Sequence, residues 1–127
     1  MRKTLVIGGI ECNFKSSAAI PRMYRLKFGR DVFVDLQKLK KQVELSEKLK
    51  KETGKEDSSI PIDSLEIFEN IAFLMHKHGD SSQPSEIDEW LEQFKTFSVY
   101  EVLPEILEMW GLENKQMSTA KKRQRNR

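Results

Sequence analysis

The sequence is poor in the side chains that most often bind metals or act as nucleophiles: it has two histidines and one cysteine. His76 and His78 are spaced i, i+2, whereas a metal-binding pair on a helix needs i, i+4. We expect both to lie near a helix C-terminus, where partial negative charge favours them. Cys12 falls on the apolar phase of a predicted strand, so we expect a buried, inert thiol.

The remaining signatures of catalysis are missing. The glycine pair Gly8-Gly9 does not belong to a G-x-x-x-x-G-K-[ST] phosphate loop, and that pattern occurs nowhere in the sequence. The carboxylates are scattered, without an apolar pocket signature that would raise a pKa. We therefore predict no catalytic, metal or cofactor site and do not expect an enzyme.

One stretch, "IPRMYRLKFGRD" at residues 20–31, combines aromatic and basic side chains. Tyr24 and Phe28 are spaced i, i+4, which suits packing on one helix face better than a platform for stacking bases. We predict a short helix and turn that contacts another subunit or a partner, although a place in the core stays open for the aromatic residues. The candidate partner-binding residues in the whole chain are Arg22, Tyr24, Arg25, Phe28, Arg30, Phe97, Tyr100 and Trp110.

Local signals define the elements that would position this stretch. Gly8-Gly9 links "KTLVI" and "IECNFK", which predicts a β-hairpin with a tight turn. Pro21 suits the first turn of a helix, Gly29 the position just after it, and Asp31 the cap of the next helix. That second helix carries an apolar stripe of Val32, Leu36, Leu39 and Val43.

Further helices follow along the chain. Beyond Leu45 we expect a frayed, solvated helix end and a mobile loop to Ser59. Asp63 and Glu66 indicate a capping box for a third helix that is apolar all round and is therefore central and buried.

Three more signals complete the pattern of elements. Gly79 would end the third helix, Ser85 would cap a short fourth helix, and Ser98 with Glu101 would cap a fifth that Pro104 should kink or shorten. The fold class predicted is α+β, mainly α: an N-terminal hairpin followed by about five helices around a central apolar one.

Charge divides the chain into two parts. Residues 113–127 hold six basic side chains and one acid, whereas residues 1–112 have a net charge of −3. We predict a single folded domain over 1–112 and a disordered basic tail over 113–127. The tail either solubilises the protein or binds phosphate groups. The chain has no 18-residue apolar run, so no membrane span is expected, and a single cysteine fits a reducing cytosol.

Three strings in order, "IPRMYRLKFGRDVFVDL", "LEIFENIAFLMHKH" and "WLEQFKTFSVYEVLPEILEMWG", resemble the tail assembly chaperones of long-tailed bacteriophages and prophages of Gram-positive bacteria. The resemblance spans roughly residues 7–112, contains no catalytic signature and transfers no site residue. It implies a helical adaptor that coats the tape measure protein, recruits tail tube subunits in the host cytoplasm and is absent from the mature virion. It also implies a frameshift near the end of the short form, for which Lys121-Lys122 is a suitable position.

Two functional hypotheses follow. The first is a non-enzymatic, self-associating chaperone whose partners are the tape measure and tail tube proteins. The alternative is a small nucleic-acid-associated regulator that uses its basic tail; the acidic body of the chain disfavours it.

Overall fold

A computed structural model describes residues 1–53, 61–95 and 99–112 of the chain. The described part contains an N-terminal antiparallel hairpin followed by five helices, which confirms the predicted α+β, mainly α fold. The elements are β1 (Arg2–Ile7), β2 (Ile10–Lys15), α1 (Ala19–Phe28), α2 (Val32–Thr53), α3 (Ile62–Gly79), α4 (Ile87–Glu92) and α5 (Val99–Met109).

The hairpin forms as its glycines predict. Gly8 and Gly9 have φ angles of 57° and 84°, which is the left-handed region that a two-residue hairpin turn requires. Leu5 pairs with Cys12, and both side chains are buried on the face that meets the helices. The alternation weakens at the turn, where Ile10 is 41% exposed.

The junction of α1 and α2 also follows local rules. Gly29 adopts a φ of 67°, and its amide donates to the Arg25 carbonyl at 2.8 Å, which ends α1. Asp31 then accepts a 2.8 Å hydrogen bond from the amide of Phe33 and so caps α2. The helix continues well past the apolar stripe, to Thr53, with a mainly exposed second half.

Helix α3 is the centre of the fold. It packs against β2 and against each of the other four helices in the described residues. Six consecutive side chains, from Ile71 to His76, are buried, as expected for a helix that is apolar all round. The predicted capping box is wrong: α3 begins at Ile62 after Pro61, without a capping side-chain hydrogen bond, so Asp63 already lies inside the helix.

The other predicted helix signals have mixed outcomes. Ser85 is not a cap, because α4 begins after Glu86 and has no side-chain cap. Helix α5 continues through Pro104. Ser98 and residues 54–59 of the segment predicted up to Ser59 lie outside the described residues.

Helix α3 ends at Gly79, as predicted, and Asp80 is its C-cap. A Cβ atom added to Gly79 would lie 2.1 Å from the carbonyl oxygen of Asn13 in β2. Glycine is therefore needed here for close approach between helix and strand, and not for a left-handed backbone.

The helices of the described residues differ in length and in apolar content. None of them is long and apolar enough to cross a bilayer.

Candidate partner-binding site

The basic and aromatic stretch at residues 20–31 folds around a buried carboxylate. The hydroxyl of Tyr24 donates to Oδ2 of Asp35 at 2.6 Å. The Arg30 guanidinium donates to both Asp35 oxygens, at 2.8 and 2.7 Å. Burial alone would raise the pKa of the Asp35 carboxyl, but the hydrogen bonds from Arg30 and Tyr24 outweigh it and hold that pKa below its ordinary value. This network joins the start of α2 to α1.

The network contains two of the predicted partner-binding residues, Tyr24 and Arg30. Tyr24 is fully buried, so its ring is in the core and not on a surface that a partner could contact. Arg30 is exposed, and its Nε and Nη2 atoms donate to the two oxygens of Asp35. Tyr24 therefore has the core position that its spacing also allowed, whereas a partner contact by the exposed Arg30 stays a prediction. The hydrogen-bond partner that holds the Tyr24 hydroxyl in the core is Asp35, 11 residues later, and the helical spacing alone does not reveal it.

The neighbouring predicted residues divide between core and surface. Phe28 is half-buried, with its ring centroid 5.1 Å from that of Tyr24. Arg22 and Arg25 are exposed on α1 and stay available to a partner. The spacing of Tyr24 and Phe28 left open a place in the core or a partner contact, and the two rings pack against each other.

At the other end of the chain, Trp110 lies half-buried beside α3. Its indole N–H donates to Sδ of Met75 at 3.3 Å, and its ring meets the edge of Phe33 at 6.0 Å between centroids. The structure does not describe the remaining predicted residues, which are Phe97, the side chain of Tyr100, and Lys121 and Lys122 in the tail.

The structure also reveals a surface that the sequence analysis missed. We define the α2 outer face as the side of α2 opposite its buried stripe. Val34 and Leu45 on this face are 54% and 52% exposed, although both are apolar. The signal is present in the sequence as apolar residues outside the stripe, but the loss of the stripe beyond Leu45 predicts only a solvated helix end. The α2 outer face consists of Val34, Lys38, Lys41, Leu45, Lys48 and Leu49, which recur mainly at spacings of three and four.

The thiol of Cys12 and the imidazoles of His76 and His78 have the chemistry of nucleophiles and metal ligands. Burial raises the pKa of the Cys12 thiol to about 11, so the thiol is protonated at neutral pH. His76 and His78 face different partners, Trp90 and Ser17, in the last turns of α3. Residues 1–53, 61–95 and 99–112 contain no group of three His, Cys, Asp or Glu side chains that could bind a metal ion.

Comparison with known proteins adds no family. No family model matches the sequence, and no curated protein or solved structure matches it significantly.

Proposed function

We propose that this chain is a protein-binding adaptor that holds a helical client along the α2 outer face and catalyses no reaction. The observation that carries the proposal is the exposure of Val34 and Leu45 on a helix of 22 residues. At a rise of about 1.5 Å per residue such a helix is about 33 Å long, enough to pack along several turns of a partner helix.

The charge of the same face indicates the chemistry of the client. Exposed lysines Lys38, Lys41 and Lys48 flank the apolar side chains, and their aliphatic stems extend the apolar surface while the ammonium groups stay in water. An amphipathic helix with acidic residues beside its apolar stripe fits this pattern.

Within that class, we propose a tail assembly chaperone whose client is the tape measure protein. The support is the resemblance of the three strings quoted above, together with the mainly helical fold that such an adaptor would need. Binding of tail tube subunits and action in the host cytoplasm belong to the same proposal.

Co-expression with a phage tape measure protein tests the proposal. The client should be recovered in a soluble complex with the wild-type chain and should aggregate without it. Leu45→Ser should weaken the complex about tenfold or more, because a half-exposed leucine would lose its contact with the client. Ile62→Ser is the matched control: Ile62 is an exposed apolar residue of α3, 80% exposed, outside the α2 outer face.

A truncated chain of residues 1–112 separates this function from the nucleic-acid alternative. The complex should survive both the truncation and nuclease treatment. If the chain instead binds duplex or single-stranded nucleic acid, and loses that binding on truncation or as salt rises, the basic-tail hypothesis replaces the chaperone.

Equal losses for Leu45→Ser and Ile62→Ser would contradict the α2 outer face as the binding site.

A further inference from the structure

The hairpin has two outer edges, and its register shows which backbone groups point away from it. Met1 and Ser16 exchange two hydrogen bonds, of 2.7 and 2.8 Å, and so form a hydrogen-bonded pair. Such pairs alternate along an antiparallel ladder, so the backbone groups of every second residue point outward. The residues with outward groups are Arg2, Thr4 and Val6 in β1 and Glu11, Asn13 and Lys15 in β2.

The two edges differ in what covers them. On β2 the carbonyl of Asn13 lies against Gly79, close enough that a single added Cβ atom would collide with it. On β1 both Thr4 and Val6 are exposed, and Val6 is 62% exposed. No residue in 1–53, 61–95 or 99–112 hydrogen-bonds to their outward backbone groups. The edge of β1 is therefore the one that can accept another strand.

The charges on the outer face of the hairpin are poorly matched within one chain. Arg2 lies directly opposite Lys15, a like-charge pair that destabilises a sheet. Glu11 lies opposite Val6, and the part of the chain that the structure describes offers neither Glu11 nor Arg2 an ion-pair partner. The Arg2 guanidinium donates only a long hydrogen bond, of 3.4 Å, to the carbonyl of Gly79.

We propose that the β1 edges of two copies pair antiparallel about a two-fold axis at Thr4, forming a four-stranded sheet. In this register Arg2 of one copy lies opposite Val6 of the other. Glu11 of that second copy lies in the next strand, on the far side of Val6. Each arginine then approaches an acid, and Val6 is covered by the arginine stem. The pattern is complementary to itself, so the occupant of the edge is a second copy of this chain.

Matched substitutions at Val6 test the register, with the dimer dissociation constant measured by sedimentation equilibrium on the full chain. Val6→Glu places an acid opposite Arg2 of the second copy and should tighten the dimer by up to about tenfold, with two such pairs per dimer. Val6→Arg places like charges there and should weaken it by a similar factor. Val6→Glu also places an acid opposite Glu11 within the hairpin, so thermal unfolding at a concentration below the dimer dissociation constant measures that intrachain cost separately. A wild-type chain that stays monomeric at every concentration, or equal constants for the two variants, would overturn the proposal.

Oxidative cross-linking gives a readout that does not depend on affinity. Thr4 meets itself across the axis in a hydrogen-bonded pair, where Cα atoms are about 5.5 Å apart, a distance that a disulfide spans. Thr4→Cys should therefore cross-link to a dimer under copper-phenanthroline oxidation, and Asn13→Cys, on the covered edge, should not. Cross-linking of Asn13→Cys alone would assign the interface to β2 and refute the choice of β1.

Discussion

The indole nitrogen of Trp90 donates a 2.8 Å hydrogen bond to Nδ1 of His76, and both side chains are buried. Nδ1 accepts only when it carries no proton, so the bond requires a neutral imidazole. The ring of His76 also lies 5.3 Å from that of Phe14 in β2, so one histidine connects α4 and the hairpin to the central helix.

This bond predicts that stability falls in mild acid. Burial lowers the pKa of His76 in the folded state, whereas in the unfolded chain it is near its ordinary value of 6.5. The unfolded chain therefore binds more protons below that value, and the free energy of unfolding decreases as the pH falls from 7 towards 5. Thermal unfolding at several pH values should show this decrease.

His76→Gln is the test of its origin, since glutamine does not titrate. The variant should be less stable at pH 7 but should lose less stability on acidification. His78→Gln is the control. Burial lowers the pKa of His78 as well, but that residue is more exposed than His76, so removing it should change the pH slope less. An unchanged pH slope in His76→Gln would contradict the assignment.

Two glycines of the fold should respond differently to asparagine. Gly29 has a φ of 67° and open space where a Cβ atom would lie, so Gly29→Asn should cost less than about 1 kcal/mol, because asparagine tolerates the left-handed region. Gly79→Asn should cost about 1–3 kcal/mol or more, because its Cβ would force α3 away from Asn13. Urea unfolding of both variants measures the difference, and a larger loss at Gly29 would contradict it.

The carboxylate of Asp35 should contribute more to stability than its position on α2 suggests. Asp35→Asn should lower the free energy of unfolding by about 1.5–3 kcal/mol, because it loses the charged hydrogen bonds with Arg30. Tyr24→Phe should cost about 1 kcal/mol, since Arg30 still neutralises the carboxylate. Denaturant unfolding of the two single variants and the double variant gives the coupling between them; full additivity would show that the hydrogen bond contributes nothing.

Acid adds an independent check on the same network. The pKa of Asp35 is lowered in the folded state, so its contribution to stability is present above the ordinary pKa of about 3.8 and is lost as the pH falls below it. That window lies below the one predicted for His76. The wild-type chain should therefore lose stability in two separate pH ranges, and Asp35→Asn should lose less in the lower one.

Cys12 should react slowly with thiol reagents in the folded protein. Its thiol is fully buried, and burial raises its pKa to about 11, so both access and thiolate content are low. The Ala18→Cys variant supplies an internal control, because Ala18 is exposed just before α1. Titration with Ellman's reagent at pH 8 should show one fast and one slow thiol per chain, and two fast thiols would refute the burial of Cys12.

The sequence by itself determined the features that depend on neighbouring residues. The turn at Gly8-Gly9, the end of α1 at Gly29 and the cap at Asp31 require only a left-handed backbone or one short side-chain bond. The apolar circumference of α3 likewise predicted its central place, because a helix that is apolar all round has no side that can face water.

Tertiary structure alone decided the features that depend on residues far apart in the chain. Gly79 ends α3, as its sequence position predicted, but glycine is required there by Asn13, 66 residues earlier, which no local pattern encodes. Tyr24 looked like a candidate for partner contact but is held inside by Asp35. A hydrogen bond or a close approach between separate elements depends on how those elements pack, and the spacing of residues within one helix does not specify that packing.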